Sequence, residues 1–525
     1  MRYTARIITR INALTLALLL AFAAGAAASE MDDNLTVGIV SVRTQALNPL
    51  LTLERDFQAA TGLIYESLVT LDESYDPAPC LAESWETTDY TNWVFTIRSN
   101  VTFHDGTPLT AYDIEATLNE ILRLANDDTA ENKGAYSSIK YLIKKVSANN
   151  ATTLALQSTR AYYGFLYALT FPVLKADEVA AVNPVGSGPY RVEIFQPGDY
   201  LYLSANENWW QKPPSVKEIN ISFHTTSKEL TASFEYNRVD TIITRSVTAA
   251  QYRAGVSSVN LNYTTRQLET LLFNNQVTEL KDVRVRKAIR YAINKDALIS
   301  GAYYGMASKT NTPFPMDSWM YYDSTTEDGE SVYAYNPEKA RQLLKEAGWE
   351  DSDGDGVLDT VVNGKKANLK LRFYVYEESD NSVRVQTANS ISDMLKAVGI
   401  NAPVTTVSFS DAKAKLKAGS FDLALAAFQM DAVPDPGFML ISPNNGNYGR
   451  YKSTEMNDLF KSLRKAQDKA GCLNYLRSIQ DLFGRDCPFL CLYYRDGAIL
   501  SRKVFTNVHE IREPNLLNGV ETIGN

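Results

Sequence analysis

The stretch from Leu369 to Gln429 limits the folds open to this 525-residue chain more than any other. Leu369, Leu371, Phe373 and Val375 alternate as in a strand, a helix should then run to Val398 with Gly399 as its stop, and Ile400 to Phe409 reads as a second strand. Asp411 to Ala418 follows as a short helix stopped by Gly419, and Phe421 to Gln429 is the nearly continuous apolar run of a strand buried on both faces. Strand, helix, strand, helix, strand implies a parallel sheet, because each helix carries the chain back to the same end. Open parallel sheets bind ligands beyond the carboxyl ends of their strands, which singles out Asp431. The same position ahead of Pro434-Asp435-Pro436 is also ordinary for a solvated turn acid.

Other segments carry equally local signals. Trp93, Phe95 and Ile97 alternate with more polar residues, Val101 and Phe103 continue the pattern, and His104-Asp105-Gly106 reads as a turn. Thr110 and Asp113 then form a capping pair for a helix whose apolar face is Ile114, Leu118, Ile121 and Leu122. Asp282 is placed to cap a helix with Val285, Ala288, Ile289 and Ala292 inward. Asn336-Pro337 starts another, with Ala340, Leu343, Leu344 and Ala347 inward and Gly348 at its end. The chain is long enough for two or three domains, and it has no repeat or low-complexity tether, so crossing strands are expected to join them.

At the N-terminus, Arg2, Arg6 and Arg10 precede an apolar run from Ala13 to Ala24 and the small residues Ala26-Ala27-Ala28. This is the pattern of a signal peptide, with cleavage expected after Ala28, and the apolar run is too short for an ordinary membrane span. No cysteine follows it, so no lipid anchor is expected there. The destination is the periplasm or the outer face of the cell membrane. A net charge of −9, without a long Lys/Arg run, argues against nucleic acid as a partner. Cys80, Cys472, Cys487 and Cys491 are compatible with disulfides after export, and their spacings fit no zinc pattern.

Several motifs invite functional readings. Asp351, Asp353, Asp355 and Asp359 sit at positions 1, 3, 5 and 9 of a calcium-type loop with Gly356 at 6, but Val362 replaces the acid at 12, which favours a plain Asp/Gly turn. Gly186-Ser187-Gly188 lacks the lysine and the helix of a phosphate loop and reads as a turn. His104, His224 and His509 stand apart, which gives imidazole-bound metal cargo little support, and no cofactor is called for. The 30 tyrosines and pairs such as Trp209-Trp210 and Tyr321-Tyr322 suit sugar stacking as well as cores. A secreted hydrolase is the competing class, yet no nucleophile elbow, zinc-binding His pair or Cys/His constellation is visible, so no enzyme is expected. A sensor presenting its ligand to a receptor fits the same sequence.

Leu81-Ala82-Glu83-Ser84-Trp85, Trp93-Val94-Phe95-Thr96-Ile97-Arg98 and Phe103-His104-Asp105-Gly106-Thr107-Pro108-Leu109-Thr110-Ala111 together resemble the N-terminal signature of the family 5 extracellular solute-binding proteins, peptide-binding components of bacterial ABC importers. Gly186-Ser187-Gly188-Pro189-Tyr190, Val283-Arg284-Val285-Arg286-Lys287-Ala288-Ile289 through Asn294, and Asn336-Pro337-Glu338-Lys339-Ala340 are similar to further family motifs in the same order. The resemblance implies an α/β, two-lobed periplasmic-binding-protein-like fold of the large three-subdomain form, with mixed sheets and a hinge of crossing strands. The divisions it implies are a signal peptide at 1–28; a lobe I main subdomain from 29–68, 188–278 and 485–525; an inserted strand-rich subdomain at 69–187; and an α/β lobe II at 279–484.

The resemblance also implies the function: capture of a peptide in the interlobe cleft and delivery to a membrane permease, by a monomer. An oligosaccharide is the alternative cargo. In peptide-binding relatives, a strand ending in an aromatic residue, with an aspartate three positions later, contacts the ligand backbone and amino terminus. Phe428, Gln429 and Asp431 match that pattern, with Phe428 where the family usually has Trp and Leu425 where some relatives place Arg. Ala427 and Gln429 would supply backbone groups. Glu54, Arg55, Tyr493 and Tyr494 resemble cleft-lining positions.

Overall fold

The computed structural model describes residues 34–42, 45–127, 129, 133–254, 259–325, 331–362, 364–378, 382–503, 513, 515–517 and 519–520. The signal-peptide reading of 1–28 and His509 lie outside these residues.

The 369–429 unit folds as the alternation requires. Strand Phe373–Tyr376 pairs in parallel with Val404–Val407 on one side and Leu423–Gln429 on the other. Helices Val383–Lys396 and Phe409–Ala418 make the crossovers. Gly399 and Gly419 both take left-handed backbone, at φ +87° and +68°, where a side chain would be strained. The first strand is shorter than its alternation suggests. Leu369 and Leu371 are buried ahead of it, bridged to the next segment through Lys370↔Asn401, and the Leu369 N–H donates to the Leu358 carbonyl at 2.6 Å.

Two strands of unusual length, Val259–Phe273 and Phe489–Ser501, run antiparallel through the middle of an 11-stranded sheet. At one end Val259–Phe273 pairs with Leu423–Gln429, so the parallel unit of lobe II extends from it. At the other end Phe489–Ser501 pairs with Thr241–Thr244, which leads to Asn34–Val40, Glu218–His224, Tyr200–Ala205 and Tyr190–Gln196 of lobe I. The register between the two long strands breaks midway. Thr264 faces Asp496 and Leu268 faces Tyr494, so three residues of one strand oppose one of the other, an irregularity that bends a ladder and re-aims side chains.

Inserted into lobe I is an antiparallel four-stranded sheet, Ala82–Thr87, Asn92–Ile97, Thr153–Ser158 and Ile143–Asn150 in spatial order. Trp93, Phe95 and Ile97 point inward against helix Ala111–Asn126, whose Ile114, Leu118 and Ile121 are buried. Asp113 reaches back to the Thr110 N–H at 2.8 Å and accepts from the Thr110 hydroxyl, and the two residues form the reciprocal capping box expected at the start of this helix. Gly186 is required by packing: a Cβ there would stand 2.1 Å from the Ile64 carbonyl oxygen.

The largest core joins the four-stranded sheet to the Asn34–Val40 side of the large sheet, a smaller one gathers around Leu230, Phe234 and Ile242, and two more lie on opposite faces of Leu423–Gln429. All four cysteines are free thiols, and Cys472, Cys487 and Cys491 are buried in the two cores that flank Leu423–Gln429. Among the described residues no helix is long and apolar enough to cross a membrane.

Candidate functional site

Between the lobes lie two adjoining recesses that share Arg266 and the segment from Met430 to Val433. The first, about 720 Å³, is largely apolar, with Leu71, Phe314, Met320, Phe438 and Tyr494 in its walls. The second, about 1380 Å³, opens between Leu53, Arg55, Tyr136 and Tyr167 of lobe I and Gln429 and Asp431 of lobe II. The loop at the carboxyl end of the last parallel strand therefore borders both.

Asp431 is exposed to the cleft, and its one hydrogen bond among the described residues is from the Val433 N–H, 3.0 Å, an Asx turn that fixes the side chain without neutralising it. The cleft walls crowd it even so. Displacing water from around the carboxylate pushes its pKa up to about 6, against the opposing pull of the Arg266 charge. The carboxylate is reachable by a ligand and incompletely hydrated.

The strand before it offers a second kind of contact. The Met430 N–H donates to the Arg266 carbonyl at 2.9 Å, and the Thr270 hydroxyl donates to the Ala426 carbonyl. In an antiparallel ladder this alternation turns the peptide groups of Ala427 and Gln429 to the opposite edge. On that edge the ladder with Phe373–Tyr376 ends at Val375↔Leu425. The donors and acceptors of Ala427 and Gln429 thus lie past the recorded pairing, at the margin of the cleft.

The remaining sequence-derived candidates divide. Gln429 and Arg55 line the larger recess. Tyr494 walls the apolar one, with its hydroxyl donated to the Pro313 carbonyl at 2.7 Å. Phe428, expected at the ligand, instead turns its ring into the lobe II core against Phe438 and Tyr448, at centroid distances of 5.9 and 6.1 Å. The period-two alternation that presents Gln429 to the cleft sends Phe428 the other way. Tyr493 is likewise a core residue, fully buried against Tyr303 at 4.7 Å, because its neighbour Tyr494 takes the cleft-facing position. Glu54 lines neither recess: its carboxylate accepts from the Ser41 hydroxyl and the Val42 N–H.

Arg266 was not legible as a candidate. It lies in the register break, three residues against one, where its own strand period does not reveal which way it points. The neighbouring cations are spent on protein acids: Arg245 on Asp56 and Glu513, Arg55 on Glu513 with a further bond to the Gln267 amide oxygen, and Arg384 and Arg495 on Glu269 and Glu378.

Contacts across the cleft mouth join the inserted subdomain to lobe II. Tyr162 is fully buried within a lobe II core and donates to the Pro434 carbonyl at 3.2 Å, while the Tyr163 N–H donates to the Ala466 carbonyl at 2.7 Å. Arg160 approaches Asp435 at 3.7 Å, and Lys469 pairs with Asp76.

The calcium-type loop is a lobe II surface turn. Oxygens of Asp351, Asp353 and Asp359 lie within 4.8 Å of one another, but Asp355 bonds the Val357 N–H instead. Asp351 accepts from three backbone amides, and the Lys366 ammonium pairs with Asp353 and Asp359. A protein cation already serves the cluster.

Comparison with known proteins agrees with this architecture. The chain is 25% identical over 485 residues to the oligopeptide-binding protein AppA of Bacillus subtilis, covering 89% of this chain and 87% of that protein. It is 23% identical over 512 residues to heme-binding protein A of Haemophilus influenzae, covering 91% and 90%. The crystal structure of NikZ from Campylobacter jejuni in complex with Ni(L-His) superposes with a TM-score of 0.69 at 22% identity, covering 91% of this chain and 95% of that one. The family model for bacterial extracellular solute-binding proteins, family 5 Middle, matches residues 76–450, and this chain therefore belongs to the family 5 solute-binding proteins of ABC importers.

Proposed function

We propose that this protein is an extracytoplasmic peptide carrier, exported by the segment 1–28, that closes its two lobes on a peptide and delivers it unchanged to an ABC-type permease. The observation that carries the peptide reading is the pairing of an unneutralised, cleft-facing Asp431 with the open strand edge at Ala427 and Gln429. A peptide in extended form presents an ammonium to the first and backbone groups to the second, and both are common to all peptides. The adjoining recess is walled largely by apolar side chains, which suits a ligand side chain without prescribing one. Closure is the output, because a ligand that bridges both lobes favours the closed arrangement by its differential affinity.

The relatives differ in cargo, with names that specify peptide, heme or nickel. Among the described residues neither recess is lined by a histidine or cysteine, which favours peptide over a metal held by imidazole or thiolate. The deciding experiment is calorimetry with Asp431→Asn. A free-amino peptide should lose about 2 to 5 kcal/mol, the usual consequence of removing one partner of a desolvated charge pair, while the N-acetylated peptide changes little. Equal losses for both forms would remove the role assigned to this carboxylate. Mass spectrometry of a peptide mixture incubated with the protein should return every peptide intact, and cleavage would point to a hydrolase.

A further inference from the structure

We propose that lobe I carries a second binding site, behind its wall of the cleft, that takes an organic ammonium group through Glu66. The inference goes beyond the peptide reading and does not depend on it.

The site is a cavity with about 390 Å³ of water-accessible space, bounded by the segment 62–67, the paired strands Val69–Leu71 and Pro77–Pro79, and Trp209. Gln58, Leu71, Tyr136 and Thr170 line both this cavity and one or other recess of the cleft, so the two back directly onto each other. The charged residues in its lining are Glu66 and the exposed Asp72, and among the described residues no Lys, Arg or His lines it. Tyr65, Tyr136 and Trp209 add aromatic surface. Two acids and three aromatic side chains without a cation repel anions and suit a positive group.

Glu66 supplies the specific contact. It is only 7% exposed, and its carboxylate is fixed by neutral donors. The indole N–H groups of Trp209 and Trp210 donate to one oxygen at 3.1 and 2.7 Å, and the Ser187 hydroxyl donates to the other at 3.1 Å. The tryptophan pair and the Gly186-Ser187-Gly188 turn thus converge on one side chain. A carboxylate accepts about four hydrogen bonds, so three donors leave a position open and the charge intact. Among the described residues no cation forms an ion pair with it. Arg98, whose charge reaches it, is held elsewhere, with Nε donating to the Cys80 carbonyl at 2.7 Å and the guanidinium 4.5 Å above the Trp210 ring. Burial pushes the Glu66 pKa up to about 7 against the pull of the three donors, so at pH 8 the side chain is mostly ionised and lacks a counter-charge. Buried carboxylates are normally paired, and an ammonium entering from the cavity supplies the missing partner.

Two sources carry that group, a free amine and the lysine side chain of a peptide. The test is calorimetry on the full chain at pH 8 with two pairs of probes, n-butylamine against n-butanol and Ala-Lys-Ala against Ala-Leu-Ala. Wild type is compared with Glu66→Gln and with Thr70→Phe, which fills the cavity and leaves Glu66 and its three donors in place. In at least one pair the wild type should prefer the charged probe by at least about tenfold, and both variants should bring that ratio close to one. Preference within the first pair assigns the site to free amines, and within the second alone to basic cargo. A wild type without preference in either pair, or a preference that survives in either variant, overturns the inference. If Glu66→Gln fails to fold, Thr70→Phe decides. Failure to bind both tripeptides counts against the peptide reading, while the butylamine pair still tests this site.

Discussion

Asp431 and Asp435 share one short loop at the carboxyl end of the same strand, and their surroundings are opposite. Asp435 is nearly buried and saturated: Arg464 grips it with two bonds of 2.6 and 3.0 Å, Arg160 stands at 3.7 Å, and the Gly437 N–H donates at 3.0 Å. Asp431 has, among the described residues, the single bond from Val433 and an open face toward the cleft. A carboxylate accepts about four hydrogen bonds, so the first has little capacity left for anything outside the chain and the second has most of it. Identical side chains become scaffold or receptor according to how many donors the fold directs at them. Because Arg160 reaches Asp435 from the inserted subdomain, the scaffold acid also helps hold the lobes together.

The strongest way to break this contrast is Asp435→Ala. It leaves two arginines without their acid, and the expected loss of stability is about 2 to 4 kcal/mol by urea unfolding, whereas Asp431→Ala should stay within about 0.5 kcal/mol of wild type. Comparable losses at the two sites would erase the distinction.

Protonation sharpens it next. Asp431 in the free protein titrates near 6, above its ordinary range, so it is charged at pH 7 and mostly neutral at pH 5, while a peptide amine stays protonated throughout. The acid form cannot pair with an ammonium. Affinity for a free-amino peptide should therefore fall about tenfold from pH 7 to pH 5, and Asp431→Asn should flatten the profile.

A smaller effect is expected at the mouth of the cleft. Tyr162→Phe keeps the buried ring and removes only the bond to the Pro434 carbonyl, so ligand affinity should weaken by about 1 kcal/mol. Small-angle scattering of the unliganded variant should shift toward the open form. The smallest effect belongs to the acidic turn, where Lys366 already serves the carboxylates: adding calcium or EDTA should move the unfolding midpoint by less than about 1 °C.

The sequence by itself determined the elements whose signals are local. The capping residues Asp282 and Asn336, the left-handed glycines at 399 and 419, the inward alternation of Trp93, Phe95 and Ile97, and the parallel unit ending at Gln429 all follow from spacing along one element, where backbone geometry sets which side chains share a face. The position of Asp431 past a buried strand was legible for the same reason. The tertiary structure alone decided the rest. Phe428 faces the core and Gln429 the cleft because pairing with Val259–Phe273 fixes the pleat, and Tyr493 and Tyr494 are sorted in the same way. Arg266 has no ion-pair partner among the described residues because two strands more than 200 residues apart in sequence meet out of register and because the nearby Arg245 and Arg495 find acids. Register between distant strands is set by how both lobes pack at once, and no pattern within one segment encodes it.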